Sequence, residues 1–186
     1  MVLPVYIIGS PVLRKTAENI NPDYPELKEL IENMFETMNE SEGVGLAAPQ
    51  VGHSIRLFVI DSTPIETDEN DSDFVPIRKA FINAKIIERR GDEIKSNEGC
   101  LSIPGVREDV YRDEIITIEY VDENFQQKKE TFKGINSIII QHEYDHLEGF
   151  LFTDKVSQLR KKLLKKRLLN ISKGIFEKKY KFKLGK

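Results

Sequence analysis

Apolar positions fall into two rhythms along this chain. Leu27, Leu30, Ile31, Met34, Phe35 and Met38 recur every three or four residues, which predicts one helix with a core-facing stripe. Asp23, Pro25 and Glu26 predict its start: a capping aspartate, a proline in the first turn and a glutamate three positions after the cap. The helix is expected to end before Gly43–Gly52, a run of glycines and alanines that reads as a tight connection admitting close backbone approach. Ile55–Ile60 predicts a buried strand, and residues 62–73, rich in Asp, Ser and Thr, a surface loop. Phe81–Lys95 predicts one or two strands. Glu114–Val121 and Phe125–Phe132 flank Asp122-Glu123-Asn124 as a hairpin. Gly134 and Asn136 open a second helix that should stop at Gly149. A third is expected over 156–171, where leucines stand at 159, 163, 164 and 168. The start, through Gly9-Ser10-Pro11, reads as a short strand and turn, and alternation at Tyr180, Phe182 and Leu184 predicts a terminal strand.

No repeat or long linker divides the chain, so residues 1–186 read as one domain with 156–186 as a basic C-terminal extension. Charged residues make up 32% and hydrophobic ones 39%, and no apolar run approaches the roughly 20 residues of a membrane helix. The apolar opening Val2–Ile8 is interrupted by Pro4 and preceded by no base, which argues against a signal peptide. One cysteine, Cys100, excludes an internal disulfide and suits the cytoplasm. The net charge of −3 conceals an asymmetry: residues 155–186 carry 13 bases against one acid, Glu177, and the remainder is acidic. An acidic body disfavours DNA, and any anionic partner is expected at the tail.

The chemistry concentrates in Gln141-His142-Glu143-Tyr144-Asp145-His146. Histidines four apart share a helix face and can grip one metal ion, with Glu143 in reach of a water on it. A catalytic site of this type needs a third protein ligand. Phe152 stands where an extended motif would require histidine. Glu148 is too close, Glu177 lies in the basic tail, and His53 lies in a predicted turn. Cys100 is the better candidate, because thiolate binds these metals strongly. A metallopeptidase using Glu177 and a non-catalytic metal-binding module stay open at this point. Ile135, Ile138 and Ile139 lie seven, four and three residues before His142, on its helical face. With Val44 they would line an apolar slot or simply pack in the core.

Three segments together resemble a known family. Gly43-Val44-Gly45-Leu46-Ala47-Ala48-Pro49-Gln50, Glu98-Gly99-Cys100-Leu101-Ser102 and the histidine segment are similar, in order and spacing, to the three motifs of peptide deformylase. Pro11-Val12-Leu13-Arg14 adds to the resemblance, which covers roughly residues 4–155. It implies an α+β fold with antiparallel sheets wrapped around a central helix bearing the histidines. It also implies a bacterial-type enzyme, with an organellar one also open, that removes the formyl group from formyl-methionine at the start of new polypeptides. The implied metal ligands are Cys100, His142 and His146, holding one divalent ion: Fe2+ in the cell, with Zn2+, Ni2+ or Co2+ able to replace it. Glu143 is then the general base and acid, and the Gln50 amide and Leu101 N–H the oxyanion donors. Gly45 would offer backbone contact to substrate, Arg107 would bind substrate carbonyls, Val44, Ile135, Ile138 and Ile139 would hold the methionine, and Glu42 would pair with Arg112.

The substrate so implied emerges from a ribosome. Lys161, Lys162, Lys165, Lys166 and Arg167 are expected to project from the third helix while Leu159, Leu163, Leu164 and Leu168 pack on the body. Weak, salt-sensitive ribosome contact through this tail follows as an expectation.

Overall fold

The computed structural model describes residues 1–66 and 74–185. The first helix, α1, spans Leu27–Glu40 and the histidine helix, α2, spans Gly134–Leu147. Between them in space lies an antiparallel sheet of five strands in sequence order: β2 (Gly45–Ala47), β3 (Leu57–Asp61), β4 (Arg78–Cys100), β5 (Ile103–Val121) and β6 (Gln127–Lys133). Side chains alternate faces along a strand, and here both faces are buried. Leu57 and Val59 of β3 pack with the α1 stripe, whereas Phe58 and Ile60 pack with Ile139 and Ile140 of α2. That double burial is why β3 reads as an unbroken apolar run. On the α2 side Phe81 stacks on Phe58 with centroids 4.7 Å apart, beside Tyr120 and Phe132.

Two short strands, β1 (Val5–Tyr6) and β7 (Phe182–Lys183), bring the chain ends together as a separate parallel pair. The last helix, α3 (Gln158–Ser172), starts on Ser157, whose hydroxyl accepts from Arg160 N–H, and precedes β7. A third apolar cluster joins Ile7, Ile103, Val106, Phe152, Leu164 and Ile171. The strand predicted over Tyr180–Leu184 is shortened to β7, and the hairpin after residue 114 forms as β5–β6. Phe81–Lys95 is the middle of one 23-residue strand, β4, which continues to Cys100. Register shifts along β4–β5 let so long a hairpin bend around α2.

Two local expectations need correction, and a third falls partly outside the described residues. α1 does not start from an Asp23 cap. A turn carries Tyr24 N–H back to the Asn21 carbonyl, Glu26 adopts a left-handed φ of 53°, and the first helical bond runs from Leu30 to Glu26. Asn and Asp favour such turns as readily as caps. Leu159 and Leu163 do not pack on the body: they are 67% and 62% exposed, and the inward face of α3 is Leu164, Leu168 and Ile171 instead. The loop predicted at 62–73 is described only to residue 66, so its remainder lies outside the described residues.

α2 ends at Leu147, and Gly149 follows at φ 76°. A Cβ there would lie 2.8 Å from the Arg14 carbonyl oxygen, so glycine is required for both reasons. This turn swings the chain away from the end of the helix and leaves α2 central and buried along nearly its whole length.

Candidate active site

β4 ends at Cys100, β5 begins at Ile103, and these two residues pair. Leu101-Ser102 is therefore a two-residue hairpin turn, and it sets the thiol against α2. The Cys100 Sγ and ring nitrogens of His142 and His146 all lie within 4.8 Å of one another. His142 and His146, one helical turn apart, place their ring centroids 5.3 Å apart. His146 Nε2 lies 3.3 Å from Sγ. His142 Nδ1 is bound to Glu98 Oε2 at 2.8 Å, which leaves Nε2 for the shared centre.

Glu98 is in turn held by Arg112, with Nε and Nη2 at 2.7 and 2.8 Å from its two oxygens. Arg112 Nη1 reaches Asp145 Oδ2 at 2.5 Å. All three groups are buried. Burial alone would raise the Glu98 carboxyl, but Arg112 and His142 hold it down to about 2. Arg112 therefore does not pair with Glu42, as the sequence reading had it. Glu42 remains exposed at the cleft rim, and the arginine's geometry is spent on two buried carboxylates. Sequence reasoning missed Glu98 as a partner of His142. Its place in extended chain two residues before Cys100, where side chains share a face, was the available signal.

Glu143 is buried, and its Oε2 has no hydrogen-bond partner among the described residues. Burial pushes its carboxyl up to about 7 against the downward pull of His142. Gln50, also buried, accepts from Ala47 N–H at 2.8 Å. Its amide nitrogen points to Ser102 Oγ at 3.2 Å and Cys100 Sγ at 3.4 Å. Gly45 lies against Glu143: a Cβ added there would stand 2.5 Å from Oε1.

A cleft of about 920 Å³ opens onto these groups. Val44, Gly45, Gln50 and Leu101 line it, as do Arg107, Ile135, Ile138 and Ile139. Arg107 is tied to Asn97 by Nε at 2.8 Å. The sequence reading did not find the C-terminal wall of the cleft, where Ile175, Phe176 and Tyr180 stand more than seventy residues from the hairpin. His53 is elsewhere, with Nδ1 3.4 Å from the Tyr24 hydroxyl. Glu177 lines the cleft but is outside the ligand cluster, with a side chain 81% exposed and 4.0 Å from Lys179.

The donor set fits a divalent transition metal. One thiol and two imidazoles converge, a carboxylate orients one ring, and the His146 Nδ1 and Glu143 Oε2 atoms are buried without partners among the described residues.

Comparison with known proteins shows the family. Residues 2–162 match the family model of polypeptide deformylase. The chain is 54% identical over 190 residues to a peptide deformylase of Flavobacterium johnsoniae, covering 100% of this chain and 97% of that one. It is 53% identical to one of Christiangramia forsetii, covering 98% and 96%. Among solved structures, a peptide deformylase of Plasmodium falciparum superposes with a TM-score of 0.81 at 36% identity, over 91% of this chain and 95% of that one. One from Legionella pneumophila does so with a TM-score of 0.80 at 33% identity, over 93% and 96%. A thiol at a hairpin tip facing a paired-histidine helix, with these matches over nearly the whole length, makes the chain a member of the polypeptide deformylase family.

Proposed function

We propose that this chain hydrolyses the N-formyl group of formyl-methionine at the start of new polypeptides, releasing formate and a free methionyl amine, as its family does. The observation that carries the proposal is the convergence of Cys100, His142 and His146 beside a buried, unpaired Glu143 oxygen. Those three residues would hold the ion, with Fe2+ as the working metal and Zn2+, Ni2+ or Co2+ accepted. When bound, a divalent ion supplies Lewis-acid activation of water and of the formyl carbonyl.

The chain's own groups do the rest. Glu143 takes the proton from water as it adds to the formyl carbon and delivers it to the departing amine. A carboxyl near neutral pH suits both transfers. The Gln50 amide and Leu101 N–H donate to the oxygen that gains charge. Gln50 is preset for this, because its carbonyl is already committed to Ala47. Glu98, locked by Arg112, orients the His142 ring. Gly45 offers its backbone to the substrate, and Val44, Ile135, Ile138 and Ile139 receive the methionine side chain. Arg107, steadied by Asn97, faces substrate carbonyls.

The test is anaerobic purification, metal analysis and a formate-release assay on a formyl-Met peptide. Loss of metal in Cys100→Ser, and retained metal without turnover in Glu143→Ala, are expected. No release with any divalent metal would refute the reading. A metallopeptidase with Glu177 as ligand is disfavoured by that residue's exposure, and Glu177→Gln should keep its metal.

We further propose weak ribosome contact through α3. Lys162, Lys165 and Lys166 are exposed there beside exposed Leu159 and Leu163, whereas Lys161 is half-buried and Arg167, though exposed, donates to the Gly105 carbonyl. Co-sedimentation with ribosomes should occur at low salt and fade at moderate salt. It should vanish when the three lysines are changed to Glu, with activity on free peptide retained.

A further inference from the structure

The hairpin turn that carries Cys100 is gripped by both ends of the chain. Ile8 N–H, just after β1, donates to the Ser102 carbonyl at 2.8 Å. The Tyr180 hydroxyl, just before β7, donates to the Leu101 carbonyl. β1 and β7 pair with each other, with Val5 opposite Phe182 and backbone bonds from Val5 to Lys181 and from Ile7 to Lys183. The two grips are therefore mechanically coupled. The tail is further seated by Phe176 against Phe182, centroids 5.0 Å apart, within the apolar cluster that includes Cys100. Tyr180 is partly buried and lines the cleft. Burial first, and Cys100 second, push its phenol upward, so the hydroxyl keeps its proton and remains a donor.

We propose that Tyr180 is a positioning residue for deformylation: by holding the Leu101 carbonyl it orients the turn that presents both the Cys100 thiol and the Leu101 N–H. The physical reason is geometric. A two-residue turn has few dihedrals, and fixing the Leu101 carbonyl limits rotation about the same Cα that carries the N–H. An oxyanion donor is effective only when it is preset at hydrogen-bonding distance, and small displacements cost rate rather than affinity. Without the phenol hydroxyl, the carbonyl is free to turn toward the cleft and carry the N–H out of line. The inference rests on the deformylase reading and adds to it a residue outside the three sequence motifs.

The test compares wild type with Tyr180→Phe, which keeps the ring and removes only the grip, in the full metal-loaded chain. On a formyl-Met peptide, kcat should fall about threefold to tenfold, the scale of one lost hydrogen bond, with KM and metal content unchanged. Two readouts independent of turnover should move as well. The thiolate-to-metal absorption band of the cobalt-loaded protein should shift, and the Leu101 amide should exchange with deuterium faster. Equal kcat with an unshifted band overturns the proposal, as does a loss confined to KM. A Tyr180→Phe chain that releases its metal or unfolds would make the residue merely structural and also overturn it. Wild type inactive with every divalent metal would instead refute the underlying reaction, so the two failures are distinguishable.

Discussion

Gly45 lies so close to Glu143 that a side chain at position 45 has no room beside the carboxylate. A Cβ at position 45 would meet Oε1 at 2.5 Å and both Cγ and Cδ at 2.8 Å, and it is the buried carboxylate that must move. Gly45→Ala is therefore expected to lower kcat/KM by about a hundredfold, the scale of a 1 Å misplacement. Bound metal and thermal midpoint should stay near wild type. Activity close to wild type would show that Glu143 works from a different position. Arg112 presents the complementary case. It neutralises two buried carboxylates, and Arg112→Met leaves Glu98 without its cation and Asp145 with Lys155 alone. The expected cost is roughly 3–5 kcal/mol in urea unfolding, together with weaker metal binding, since Glu98 would no longer hold the His142 ring. A triple change that also removes the Glu98 and Asp145 carboxylates should recover part of the stability. The sequence pointed Arg112 to Glu42; strand register instead sets it opposite Ile94, four residues along β4 from Glu98, and its long side chain covers the distance.

Among the elements, the five-stranded sheet holds α1 and α2 apart and gives each its own face. Phe81 is fully buried on the α2 face, stacked on Phe58 and meeting Tyr120 and Phe132. Phe81→Ala should cost about 3–5 kcal/mol of unfolding free energy. A change under 1 kcal/mol would mean that the ring cluster closes over the gap. α3 is tied on more weakly, by Leu164, Leu168 and Ile171 and by ion pairs such as Arg160 with Glu108. Its Ser157 cap accepts a 3.3 Å bond, and Ser157→Ala should cost no more than about 1 kcal/mol. Leucine spacing on α3 suggested a different inward face, because leucines stand all round this helix and periodicity alone does not choose among them.

For the whole molecule, the site draws on β2, the β4–β5 hairpin, α2 and the chain's last segment, so an ion at its centre joins parts distant in sequence. Stripping the metal with a chelator should lower the thermal midpoint. At a hundredfold excess over Kd a ligand adds ~2.7 kcal/mol, and a protein of this size shifts roughly 5–10 °C for that amount. An identical midpoint with and without metal would place the ion outside the folded core. The sequence by itself determined what depends on near neighbours. The α1 stripe and the shared helix face of His142 and His146 follow from the 3.6-residue period, β3 from its unbroken apolar run, and the β5–β6 hairpin and the stop at Gly149 from turn residues and a glycine. It also bounded the third ligand, since a lone cysteine competed with a few poor alternatives. Tertiary structure alone decided the rest. It chose the Glu98–Arg112–Asp145 lock over a Glu42 pair, turned Leu159 and Leu163 outward, and folded Tyr180 onto the Leu101 carbonyl. Each of these joins residues through strand register, helix rotation or the meeting of chain ends. Those are settled by competition among many distant surfaces, and no local pattern records the winner.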